Sequence, residues 1–169
     1  MTCIAVVVMG VSGSGKTSVG MELARMINGR FIEGDDLHPV ANIEKMSAAI
    51  PLEDSDRWSW LDSIGDEIAA SVATGMNVVA SCSALKLVYR ERLRLSVGKT
   101  LRFLFLKVSA DALYSRVEAR TDHFMPAALL ASQLAALEPP VEEPDVLAID
   151  VTRPLEDIVT AAFQRFTDR

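Results

Sequence analysis

The chain is 169 residues long, the size of one domain with a single substantial core; half of it is hydrophobic and 24% charged, which excludes disorder or low complexity as its overall character. Lys and Arg number 17 against 23 Asp and Glu, a net charge of −6, so the chain lacks the basic footprint of a nucleic-acid or anionic-membrane binder and any phosphate must be held locally. The two cysteines, Cys3 and Cys82, are far apart, which excludes a disulfide scaffold and points to a reducing cytosol. In chain order, residues 3–9 read as a buried strand. The apolar run within it is too short to span a membrane and has no basic region before it, so neither an anchor nor a signal peptide is expected. A glycine-rich turn leads into a helix over 16–28, followed by a strand over 30–33 and a helix over 55–74. A strand over 77–81, a helix over 86–96, a strand over 101–108, a helix over 110–120, a strand over 146–149 and a helix over 155–166 complete the series. This alternation predicts an α/β fold, a five-stranded parallel sheet with helices on both faces, in one domain over 1–169. Residues 35–54 and 121–144 interrupt it with polar and proline punctuation. They read either as ligand-binding and lid excursions or as covers for the open edge of the sheet.

Gly10, Val11, Ser12, Gly13, Ser14, Gly15, Lys16 and Thr17 fit G-x-x-x-x-G-K-[ST], directly after an apolar strand and before a helix. Such glycines let successive amides point inward at a phosphate, and the helix adds the positive end of its dipole. Lys16 is expected to reach the β- and γ-phosphates of a nucleotide and Thr17 to give its hydroxyl to Mg²⁺.

Beyond the second strand, Glu33 and Asp35 lie on the sheet edge where ligands of such folds bind; two apart in an extended segment, they leave the same side. One suits a metal and the other suits a substrate proton, with a solvated acidic turn as the plain alternative. Asp150 reads as a turn residue. His38, Lys45 and Arg57 suit a polar, anionic substrate, Asn42 and Lys45 sharing one face of a short helix by their spacing. Arg57, shaped to grip a carboxylate in two places, is the candidate for an acid group; a helix-start ion pair of Asp56 with Arg57 is the alternative. Arg116 and Arg120, four apart on a helix, either close over nucleotide phosphates or form a solvated basic face. Ser83 and Lys86 admit two readings, contact with substrate or, for Ser83, a helix N-cap alone.

Together these residues resemble the gluconokinases, P-loop kinases related in fold to shikimate and adenylate kinases. The resemblance runs through MGVSGSGKT (9–17), GDDLHP (34–39), NIEKM (42–46), PLEDSDR (51–57) with Trp60 and Leu61, CSALKLVYR (82–90), HFMP (123–126) and LEPP (137–140). It implies a three-layer fold of the nucleoside-monophosphate-kinase and shikimate-kinase type, with a substrate-binding segment near 35–75 and a lid near 120–144. It also implies transfer of the γ-phosphoryl of ATP to the 6-hydroxyl of D-gluconate with Mg²⁺, in a homodimer, which the cysteine usage above places in the cytoplasm. By position, Asp35 would meet the reacting hydroxyl, Arg57 and His38 would touch substrate, and Arg120 with His123 would form the lid. A kinase of the same fold acting on another hydroxy acid or on a nucleoside monophosphate is the alternative. The chain departs from the family pattern at Glu33 (commonly Asp), Ala49 (Gly), Ser59 (Pro) and Asp122 (Gly).

Overall fold

The computed structural model describes residues 3–119 and 127–168. At its centre is β1 (Ala5–Met9), five apolar residues that are all buried, as a parallel strand covered on both faces requires. With β2 (Arg30–Glu33), β3 (Val78–Ser81), β4 (Leu101–Lys107) and β5 (Val146–Asp150) it forms a five-stranded sheet in the order β2-β3-β1-β4-β5. Every pairing is parallel, Val7 lying opposite Ala80 on one side and Phe103 on the other.

The period of two along β1 divides the core. Ala5, Val7 and Met9 face Trp60, Ile64 and Ile68 of α3 (Asp54–Ala73) and Leu93 of α4 (Leu87–Val97). Val6 and Val8 face Val19 and Leu23 of α1 (Lys16–Met26) and Ile158 and Val159 of α7 (Leu155–Thr167). Helices therefore cover both faces, and among the described residues no helix is long and apolar enough to cross a membrane. The alternation was legible in the sequence to within one or two residues at most element ends.

The two interruptions hold helical structure of their own. A 3-10 turn over Gly34–Leu37 leads to α2 (Val40–Ser47), which carries Asn42 and Lys45 as their spacing predicts. Beyond α5 (Ala110–Ala119), α6 (Ala127–Ala136) occupies part of the second excursion. Leu130 of α6 is fully buried with Val11, Leu85 and Leu113, so this helix packs on the glycine-rich turn rather than on the sheet. Its exit is fastened by Arg90, 1% exposed, which donates to the carbonyls of Ala84, Leu85 and Glu138 and pairs with Glu143 at 2.6 Å.

Of the two readings of Ser83, the N-cap is not found. α4 begins later, after Lys86 in an extended conformation, and the amide of Leu87 donates to Glu138 Oε2 at 2.7 Å. The cap arrives from a segment distant in sequence, where local reading has no purchase.

Candidate active site

Gly10, Gly13 and Gly15 adopt φ of +147°, +81° and +98°, a region open to glycine and costly for other residues, and so turn β1 sharply into α1. The amides of Gly10 and Ser14 are spent on the carbonyls of Ser83 and Val11, each at 3.2 Å. Those of Gly13, Gly15 and Thr17 meet no protein acceptor among the described residues, which is the condition of a helix start that binds an anion. Lys16 Nζ donates to the carbonyl of Val11 at 3.0 Å, folding back over the turn. Arg116 reaches the same turn from α5, donating to the carbonyl of Gly13 at 3.3 Å and to that of Val151 at 3.4 Å.

Beside the turn, Thr17 Oγ1 donates to Glu33 Oε2 at 2.6 Å, and Ser81 Oγ donates to the other carboxylate oxygen. The hydroxyl of Ser81 also accepts the amide of Gly34 at 3.0 Å. Gly34 is closely confined, since a Cβ there would lie 2.0 Å from the carbonyl oxygen of Ser81, while its own carbonyl accepts Trp60 Nε1–H at 2.7 Å. The ends of β2 and β3 and the start of α1 thus bring hard oxygen donors to one point, a set that fits Mg²⁺. Among the described residues no three Asp, Glu, His or Cys side chains gather to form a metal cage, so an ion here would draw its remaining ligands from phosphate and water.

A cleft of about 970 Å³ runs from the turn to the 3-10 segment and α3. Ser12, Lys16, Thr17 and Glu33 line one part of it, and Asp35, His38, Arg57, Trp60 and Ser83 line the other. The Asp35 side chain is 79% exposed, with Oδ1 3.9 Å from His38 Nε2. His38 stacks flat on Trp60, centroids 4.1 Å apart, with Nδ1 3.3 Å from Asn42 Nδ2. Burial, reinforced by the charge of Arg57, lowers its pKa to about 4, so the imidazole is neutral at physiological pH. Arg57 donates to the carbonyl of Leu52 at 3.3 Å, and its Nε is buried without a partner among the described residues. A smaller cavity of about 500 Å³ adjoins, walled by Arg57, Asp54, Lys86, Tyr89 and Ser132.

The remaining expected residues fare differently. Lys45 pairs with Asp56 at 2.7 Å and holds α2 to the start of α3; it does not line the cleft. Asp56 in turn closes a capping box with Glu53, so the Asp56–Arg57 ion pair weighed from the sequence does not form. Lys86 pairs with Asp54 at 2.8 Å, and Tyr89 donates to the same carboxylate oxygen. Asp150 ends β5, its carboxylate accepting the amide of Thr152 at 2.9 Å as a turn residue does. Arg120 and His123, like Asp122, lie outside the described residues. Two cleft-side participants escaped sequence reading, Ser81 and Gln133. Gln133 of α6 accepts the amide of Ser12 through Oε1 at 2.7 Å.

A family model described as an AAA domain matches residues 6–140. The chain is 42% identical over 159 residues to the thermoresistant gluconokinase of Escherichia coli (strain K12), across 94% of this chain and 90% of that one. The chain belongs to the gluconokinase family. A second gluconokinase, from Gluconobacter oxydans (strain 621H), is 47% identical over 143 residues, covering 85% of this chain and 80% of its own. A crystal structure of a gluconokinase from Sinorhizobium meliloti 1021 superposes with a TM-score of 0.87 at 50% identity, covering 96% of this chain and 90% of that one. Family and fold are those expected from the GDDLHP, NIEKM and CSALKLVYR segments taken with the glycine-rich turn.

Proposed function

We propose that this protein transfers the γ-phosphoryl group of ATP to the 6-hydroxyl of D-gluconate, giving 6-phospho-D-gluconate and ADP. The observation that carries this reading is the meeting, in one cleft of a gluconokinase-family chain, of the glycine-rich turn with Asp35, His38 and Arg57. The turn from Gly10 to Thr17 cradles the phosphates, and Lys16 and Arg116 balance their charge. Thr17 and Glu33 hold Mg²⁺, which supplies further neutralisation of the phosphates. Asp35 accepts the proton of the attacking hydroxyl as the new O–P bond forms and the bond to the ADP oxygen breaks. Arg57, with a buried Nε to spare, binds the substrate carboxylate. His38 presents a neutral ring to the substrate, and Ser83 and Lys86 border its far end.

The rest of the proposal follows the family. The chain works as one domain with a substrate-binding segment near 35–75 and a lid near 120–144, to which Arg120 and His123 belong. It acts as a cytoplasmic homodimer.

The test is ADP release at fixed MgATP with D-gluconate, beside shikimate, other sugar acids, AMP and a blank without acceptor. A response to gluconate alone is expected, and Asp35→Asn should lower kcat by about 10²-fold or more. Silence with gluconate and turnover of another acceptor would overturn the substrate assignment. Full turnover by Asp35→Asn would remove the proposed base.

A further inference from the structure

Three of the four residues that follow one another at helical spacing on α6 and just beyond it, Leu130, Leu134 and Leu137, pack into the small core that includes Val11 of the glycine-rich turn. The fourth position of that stripe is Gln133. A carboxamide placed among packing leucines needs a partner, and it finds one 121 residues away in sequence, the amide of Ser12 at 2.7 Å. An amide N–H can only donate, so the atom facing it is Oε1, which leaves the Nε2 amino group with no protein acceptor among the described residues and available to a ligand in the cleft. Gln133 lines the same cleft as Lys16 and Asp35, while its neighbour Ser132 lines both that cleft and the smaller cavity beside Arg57. The pair therefore stands where the phosphate side of the site passes into the acceptor side. The helix is held there firmly, since Leu130 is fully buried and the amide of Glu138, just past its end, donates to the carbonyl of Leu85 at 2.8 Å.

We propose that Gln133 is a further catalytic residue, fixed through Oε1 on the Ser12 amide so that its Nε2 amino group donates to the phosphoryl group passing from ATP to the acceptor. A neutral carboxamide suits the position. It offers a donor to an oxygen-rich group without adding a charge to a site already lined by Lys16, Glu33 and Asp35. Because the donor is aimed by a backbone contact, it is in place before the reaction begins, which is what makes such a hydrogen bond count in the transition state.

The proposal rests on the kinase activity but not on gluconate as the acceptor, and its test separates the two. Gln133→Ala and Gln133→Glu are compared with the wild-type protein in turnover with MgATP and D-gluconate. Their binding of MgADP is measured with and without aluminium fluoride, a mimic of the phosphoryl group in flight. Gln133→Ala is expected to lose on the order of 10²-fold in kcat with KM for both substrates within about threefold. It should bind MgADP normally and MgADP with aluminium fluoride on the order of 10²-fold more weakly. Gln133→Glu keeps the size of the side chain and the Ser12 contact but replaces the donor by a negative oxygen, and should fall below Gln133→Ala. Three results would overturn the proposal: kcat of Gln133→Ala within about twofold of wild type, a lower KM for MgATP with kcat retained, or Gln133→Glu matching wild type. The second would mean that the side chain merely occupies the place of a phosphate, and the third that only its hold on Ser12 matters. Melting temperatures of both variants serve as the folding control. A wild-type protein silent toward gluconate would overturn the acceptor assignment and leave the aluminium fluoride comparison to decide on Gln133.

Discussion

Thr17 and Glu33 meet across the mouth of the cleft: the hydroxyl at the start of α1 donates to Oε2 of the carboxylate that ends β2, at 2.6 Å. The two residues sit on different elements, and parallel packing of β1, β3 and β2 brings them together. With Ser81 holding the other oxygen, the carboxylate is aimed before any nucleotide arrives. Glu33→Gln keeps the shape and loses the charge. The variant should need about tenfold more Mg²⁺ for half-maximal rate, with the KM for gluconate little changed, as measured by titrating Mg²⁺ at fixed ATP. An unchanged Mg²⁺ requirement would take Glu33 away from the metal.

His38 should leave a mark on stability. Its pKa is lowered by burial and by Arg57 to about 4, below the ordinary 6.5. Between those values the unfolded chain binds the proton and the folded chain does not, so stability rises with pH across the interval. The contribution is complete above pH 6.5 and lost as pH falls to 4; for a shift of this size it amounts to roughly 3 kcal/mol at most. Urea midpoints taken from pH 4.5 to 7 should show this slope, and His38→Gln should flatten it. An imidazole titrating near 6.5 by NMR would contradict the neutral, stacked ring.

Ala49 occupies a position the family commonly gives to glycine, and its φ of +58° shows why. α2 closes with the amide of Ala49 on the carbonyl of Met46 at 3.0 Å and that of Ile50 on Lys45 at 2.8 Å, a pattern whose turning residue is left-handed. Alanine there costs about 1–2 kcal/mol of backbone strain, partly offset because glycine has more freedom to lose on folding. Ala49→Gly should therefore raise stability by about 0.5–1 kcal/mol, read from denaturant midpoints.

Arg90 and Glu143 form a buried pair whose partners include three carbonyls and Arg94. Arg90→Ala leaves those carbonyls without their donor and Glu143 with Arg94 alone, and should cost about 3 kcal/mol of stability. It should also loosen α6 at its exit, visible as faster amide exchange over 127–138. Exchange there at the wild-type rate would show that the packing of Leu130 holds the helix alone.

Much of this molecule was legible before its structure. Four apolar runs, the short Arg30–Glu33 strand and the helices between them obey local periodicity, and the spacing from Gly10 to Thr17 specifies a turn whatever surrounds it. What was hidden depends on distant partners. The 127–136 segment is mostly alanine and leucine, follows Pro126 and is polar only at Ser132 and Gln133, so its short period gave little contrast, and it packs as a helix where Leu130 finds Val11 and Leu113. Lys45 has the right chemistry for an anion, but Asp56, eleven residues on, claims it. Ser81 is an ordinary hydroxyl at the end of an apolar strand until β2 brings Glu33 beside it.

Gly34 is clasped from both sides, by the Ser81 hydroxyl at its amide and the Trp60 indole at its carbonyl, with no room for a side chain. It separates Glu33 from Asp35. On the roles proposed for them, the backbone interval between metal and base is therefore written into three consecutive residues, with the middle one clasped to β3 and α3. On those proposed roles the cleft works as a ruler, against which an acceptor is measured by whether its hydroxyl reaches Asp35 while Arg57 grips its acid end.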